Sequence, residues 1–183
     1  MNKYDLHPAY TQRKKKVKYK RVEANVRHDL VQRHFTVTRA NQVWTTDITY
    51  LMYKGQRAYL STIRDLGEKK IIASVISRRN DNRLVLDTLH QALNKVKETH
   101  QLILHSDQGF QYTSEAYKNV CQAHGIRLSM SRKGTPIDNA PHESFHALLK
   151  KETLYNHCIT SLDDYIQKVI EWIHFYNSDR MKW

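Results

Sequence analysis

Three β-rich segments separated by only a few residues constrain this chain more than any other feature. In "NQVWTTDITYLMY", residues 41–53, Val43, Thr45, Asp47, Thr49 and Leu51 alternate with Trp44, Thr46, Ile48 and Tyr50, the two-residue period of a strand rich in β-branched and aromatic side chains. "KGQ" turns the chain, and "RAYLSTIRDL" and "KKIIASVIS" follow as two further strands with "GEK" between them. Connections this short join antiparallel neighbours, since a parallel pair needs a crossover of about a dozen residues. A three-stranded antiparallel meander is therefore expected.

The remainder of the chain alternates. Leu84, Leu86, Leu89, Leu93 and Val96 fit a helix that Asp81 or Asn82 can cap. "QLILHS" is an apolar run of strand length, "SEAYKNVCQAHG" a helix ended by Gly125, and "IRLSMS" another strand. After the turn-rich "RKGTPIDN" a long helix is predicted from about residue 139, with Pro141 in its first turn, and "SLDDYIQKVIEWIHFYN" is a last helix opening on a serine cap. The order predicts an α/β chain with a mixed five-stranded sheet, its first three strands antiparallel, flanked by helices.

Ahead of the sheet, "RKKKVKYKR" at residues 13–21 holds seven basic side chains and no acid, which reads as a solvated arm. Residues 22–36 place Val22, Val26, Leu30 and Phe35 at near-helical spacing, predicting a short amphipathic helix. The division expected is a basic arm with a helical linker over 1–37 and a core over 38–183. Thirty Lys and Arg against 18 Asp and Glu leave a net charge of +12, which favours a polyanionic partner such as nucleic acid. No apolar run reaches the roughly 18 residues of a membrane span, no secretory signal opens the chain, and no membrane partner is expected. Cys121 and Cys158 are too few and too far apart for a disulfide framework or a CxxC zinc site, and both read as core or half-buried thiols. Neither GxGxxG nor a Walker loop is present, so nucleotide-cofactor chemistry has no support.

Chemistry points to three acids. Asp47 lies inside the first strand, Asp107 follows the fourth in "LILHSDQGFQYTS", and Glu143 falls in the first turn of the long helix. If the first and fourth strands pair, the aspartates become neighbours, and a helix packed on that edge can bring Glu143 to them. Two carboxylates about 4 Å apart repel by about 4 kcal/mol at an effective dielectric of 20, a cost that a divalent cation removes. Few, hard oxygen ligands suit Mg²⁺ or Mn²⁺, and two such ions could activate a water or a 3′-hydroxyl and stabilise the leaving oxygen of a phosphodiester. Taken singly, each acid also fits an ordinary role as a hydrogen-bonded strand residue, a turn former or a first-turn helix acid. Their positions on the predicted elements favour the shared site. Lys150, Lys151, Arg132, Lys133 and His146 lie near enough in the pattern to be candidate DNA contacts. His105 reads as a packed histidine.

"WTTDITYL", "HSDQGFQYTS" and "GTPIDNAPHESFHALLKKE" together resemble the catalytic core of bacterial insertion-sequence transposases of the IS-three type, relatives of retroviral integrases, over about residues 38–180. The resemblance implies a ribonuclease-H-like fold, an acidic triad of Asp47, Asp107 and Glu143, and a basic partner at Lys150. It further implies Mg²⁺-dependent cleavage at the ends of a mobile element and joining of a 3′-end to another DNA phosphate, with no covalent protein intermediate. Homo-multimers on DNA, and a cytoplasmic, nucleoid-associated location, follow from the same likeness. Asp65 is given only a supporting role.

Two departures stand out. His142 occupies a position that is usually apolar in the family, and the chain lacks both the family's upstream helix-turn-helix region and its continuation past "FYNSDRMKW". The expectation is an excised piece, a split reading frame or a decayed copy, C-terminally truncated and dependent on an upstream helix-turn-helix region or protein. A plain nuclease and a catalytically idle DNA-binding fragment are the alternatives to a strand transferase.

Overall fold

The computed structural model describes residues 26–132, 135–155 and 158–178. Strands β1 (Val43–Tyr53), β2 (Gln56–Asp65) and β3 (Lys70–Ser77) form the expected antiparallel meander, followed by α1 (Asn82–Leu93), β4 (Ile103–Ser106), α2 (Glu115–Ala123), β5 (Arg127–Met130), α3 (Ala140–Tyr155) and α4 (Leu162–Ser178). A short 3-10 turn, Pro136–Asn139, leads directly into α3. The sheet order is β3-β2-β1-β4-β5, with β1 parallel to β4 and β4 parallel to β5.

Local chemistry explains the connections. Tyr53 pairs with Gln56, and Lys54 and Gly55 between them both have positive φ, 44° and 81°, which matches the turn to the right-handed twist of a hairpin. Asp81 caps α1 by accepting from the Leu84 N–H, and Ser114 caps α2 through the Tyr117 N–H. Asp65 is fully buried and organises the β2–β3 turn: one oxygen accepts from the Gly67 N–H at 2.7 Å, the other from the Asn41 N–H at 2.7 Å. Its supporting role is thus a structural one.

Alternation along β1 divides the core. Trp44 belongs to the layer containing Ile63, Leu89, Leu104 and Tyr117, which α1 and α2 cover. Leu51 faces Leu60, Phe145, Leu149, Tyr165 and Val169 in a second layer closed by α3 and α4. The sheet is buried on both sides, as helix-covered parallel and mixed sheets require. Burying each large side chain stabilises the fold by about 1.5–3 kcal/mol.

Two expectations change. Residues 26–36 are not helical: the Asp29 carboxylate accepts from the Val31 and Gln32 N–H groups, and Gln32 and Arg33 have φ of 48° and 64°, values no right-handed helix contains. The near-helical spacing of Leu30 and Phe35 came without a helical backbone, since Asp29 offers these donors a turn instead. Cys121 is buried as expected, but Cys158 is exposed. The basic arm at 13–21 and the first residues of the predicted linker helix lie outside the described residues. Among the described residues no helix is long and apolar enough to cross a membrane.

Candidate active site

The β1–β4 pairing decides where the first two acids meet. Val43, Trp44 and Thr45 pair in parallel with Ile103, Leu104 and His105. β4 ends at Ser106, so Asp107 follows it directly and leaves the ladder on the side of β1 that carries Asp47. The electrostatics agree. Asp107 sits at the exposed end of its strand with protein crowding its inner side, which raises its pKa above the ordinary value; the charge of Asp47 raises it further, and the Gly109 N–H, donating at 2.8 Å, works the other way. A Cβ at Gly109 would lie 2.9 Å from an Asp107 oxygen and 3.1 Å from Gln111 Oε1, so a larger residue here would displace these two side-chain tips.

Asp47 is held from two sides. One oxygen accepts from the Ile48 N–H at 2.7 Å, and the other is 3.5 Å from His146 Nδ1. His146 in turn lies 3.4 Å from the Thr62 hydroxyl, which also meets His142 Nε2 at 3.0 Å, while His142 Nδ1 is 2.7 Å from Thr45 Oγ1. A continuous polar row therefore runs from the buried centre of the sheet to Asp47. Beneath the pair lies Tyr112, whose hydroxyl is 3.4 Å from Thr46 Oγ1; burial, then the charge of Asp47, pushes its pKa far up and keeps it a neutral donor.

Glu143 stands in the first turn of α3, and its supports are well defined. Arg64 donates to the Pro141 carbonyl at 2.8 Å, His142 is fixed as above, and Asp138, immediately upstream, is gripped by Arg132 at 2.9 and 3.0 Å. The Glu143 side chain itself is exposed and has no hydrogen bond or ion pair among the described residues. Among the described residues no three His, Cys, Asp or Glu side chains converge closely enough to hold a metal by themselves. Asp47 and Asp107 nevertheless make an oxygen-only platform whose mutual repulsion a cation would relieve. That suits Mg²⁺, which commonly takes one or two carboxylates and completes its shell with water and substrate phosphate.

The candidate DNA contacts fall in different settings. Lys150 is half-buried and close enough to Asp47 to interact with its charge, although burial is the larger influence and lowers its pKa. Lys150 and Lys151 line a shallow hollow of about 460 Å³ with Ala147 and Leu154. Arg132 is mostly exposed but committed to Asp138. Lys133 lies outside the described residues. His146 is 7% exposed, and its Nδ1 lies 3.5 Å from an Asp47 oxygen. His105 is fully buried, between the Ser129 hydroxyl at 2.8 Å and the Asp138 carbonyl at 2.9 Å. Thr62 and Arg64 carried no sequence signal beyond polar residues in a strand, while Tyr112 and Asp138 lie within "HSDQGFQYTS" and "GTPIDNAPHESFHALLKKE" without a role that the sequence alone assigned.

Comparison with known proteins decides the family. The integrase core domain family matches residues 37–136, and a second integrase core domain family matches 124–182. The chain belongs to the integrase core family of insertion-sequence transposases. It is similar to InsK of insertion sequence element IS150 of Escherichia coli, 39% identical over 84% of this chain and 54% of that protein. A transposase-like protein of Haemophilus influenzae is 38% identical over 90% of this chain and 77% of its own length, and the IS904 transposase of Lactococcus lactis 37% identical over 85% and 62%. The chain thus spans between about half and three quarters of the length of these relatives. Among solved structures, the magnesium-bound catalytic core of HTLV-2 integrase aligns with a TM-score of 0.60 at 17% identity, covering 78% of this chain and 90% of that one. The integrase core fold is ribonuclease-H-like, as the sheet order and the flanking helices require.

Proposed function

We propose that this integrase core carries the chemistry of a transposase: metal-dependent cleavage at the ends of an insertion sequence, followed by transfer of the freed 3′-end to a second DNA. The observation that supports the reading is the closeness of Asp47 to Asp107 at the end of the parallel β1–β4 ladder, where the charge of one raises the pKa of the other. Mg²⁺ or Mn²⁺ bound there, as two ions, would activate the attacking oxygen and stabilise the departing one.

The chain's own residues divide the remaining work. Asp47 and Asp107 would hold the cations, with Glu143 completing the ligand set from α3. His146 keeps the Asp47 carboxylate oriented, and Lys150 offers a positive charge to a phosphate beside it. Lys151, Arg132 and Lys133 are proposed to contact DNA more peripherally. The net charge of +12 supports DNA as partner through release of counterions. Action as a homo-multimer, and reliance on an upstream helix-turn-helix region, belong to the same proposal, as do a core over 38–183 and a nucleoid-associated, cytoplasmic setting.

One observation favours a second reading, an idle DNA-binding fragment: the exposed Glu143 side chain does not join the two aspartates among the described residues. An oligonucleotide bearing an element end, incubated with Mg²⁺ or Mn²⁺, separates the readings. Strand joining supports the transferase, cutting alone a nuclease, and inert binding the idle fragment. Asp107→Asn should abolish joining and leave DNA affinity intact; joining that survives this change refutes the proposal.

A further inference from the structure

Residues 26–35 lie upstream of the integrase core match, which begins at residue 37, yet they touch the supports of the candidate site. The segment runs along β5, the edge strand of the sheet. Leu30 N–H donates to Ser129 Oγ at 2.8 Å, the Met130 N–H to the His28 carbonyl at 3.5 Å, and Val31 is buried beside Val43 and Leu66. Ser129 is also the residue that meets His105 Nδ1. At its turn, Gln32 and Arg33 both adopt left-handed backbone, an unfavourable conformation for residues with a Cβ, and successive instances ask for a reason.

The reason on view is Arg33. Its Nε donates to Asp138 Oδ1 at 2.8 Å, reaching a carboxylate that is completely buried and five residues before Glu143. Asp138 already has two donors from the Arg132 guanidinium and a third, at 3.2 Å, from its N–H, so Arg33 is not needed to balance the buried charge. The Asp138 carbonyl is bound by His105, two residues before Asp107. Asp138 is therefore the junction where the strand bearing Asp107, the helix bearing Glu143 and the upstream segment are tied together.

We propose that Arg33 is a positioning residue: acting through Asp138, it straps residues 26–35 to the start of α3 and sets how far Glu143 can reach toward Asp47 and Asp107. The inference rests on the reading of Glu143 as the third carboxylate. Arg33 is half exposed, so its effect falls on geometry more than on stability.

Arg33→Gln and Arg33→Lys in the full chain test this by amide hydrogen exchange, thermal melting and strand-joining kinetics. Arg33→Gln should raise exchange across residues 138–145 by about tenfold while α1 and β4 keep theirs. It should lower kcat for joining by about tenfold with KM for DNA within about twofold, and Arg33→Lys should recover part of both. Unchanged exchange at 138–145, or an equal rise throughout the sheet, overturns the strap, and so does a kcat loss that Arg33→Lys does not relieve at all. The exchange result judges the strap even if the chain joins no strands. Joining that survives Glu143→Gln would instead remove the underlying assignment of Glu143.

Discussion

Replacing His142 by Leu should make stability less sensitive to acid. His142 is fully buried, 2.7 Å from Thr45 Oγ1 and 3.0 Å from Thr62 Oγ1. Burial, then the nearby His146 and Arg64, hold its pKa well below the ordinary 6.5. The folded imidazole stays neutral while the unfolded one takes up a proton, so stability is lost as pH falls below about 6.5. At pH 5, with the unfolded state 1.5 units below its pKa, that loss is about 2 kcal/mol. At pH 8 it vanishes, and the variant shows the pH-independent cost of taking a partner from the Thr45 and Thr62 hydroxyls, about 1–3 kcal/mol for each buried group left unpaired. The stability gap between the wild type and His142→Leu should therefore narrow by about 2 kcal/mol between pH 8 and pH 5. His105, whose pKa is also lowered by burial, and Asp107, whose raised pKa acts with the opposite sign at lower pH, are present in both chains and cancel. Urea unfolding followed by tryptophan fluorescence at pH 8, 6.5 and 5 measures the gap. A gap that stays constant across this range refutes the neutral, buried imidazole.

Two further outcomes follow from contacts already described. Gly67→Ala would set a Cβ 2.1 Å from the Arg39 carbonyl oxygen and 2.9 Å from the Ala40 nitrogen, backbone atoms with little freedom to retreat, so denaturant unfolding should register a loss of about 1–3 kcal/mol; an unchanged midpoint contradicts the close approach. Lys150→Ala should weaken DNA binding and flatten the dependence of log affinity on log salt by about 1, read by fluorescence anisotropy at several salt concentrations; an identical slope removes Lys150 from the phosphate contacts.

The sheet was legible because its signals are local. Two-residue alternation in β1, short turns at Lys54–Gly55 and around Gly67, and caps at Asp81, Ser114 and Ser161 each act over a few residues. The meeting of Asp47 with Asp107 could be anticipated once the first and fourth strands were taken as neighbours. What escaped were long-range choices. Asp29 made a turn where apolar spacing suggested a helix, because a side-chain acceptor beside free N–H groups competes with the helical backbone. His146 shares the Glu143 side of α3 by spacing, but spacing cannot say whether that side meets solvent or the sheet; here it meets Thr62 and Asp47. Asp138 joins partners from three separate segments, a property no single stretch of sequence displays.

The central claim is that two strand-borne aspartates and a helix-borne glutamate share cations in order to work on DNA phosphates. Anomalous diffraction from crystals of the chain with Mn²⁺ and an element-end oligonucleotide tests it most directly. The account predicts a manganese peak between Asp47 and Asp107, with Glu143 turned inward to complete its coordination. Manganese absent from that position, or bound there while Glu143 still faces solvent, would contradict it.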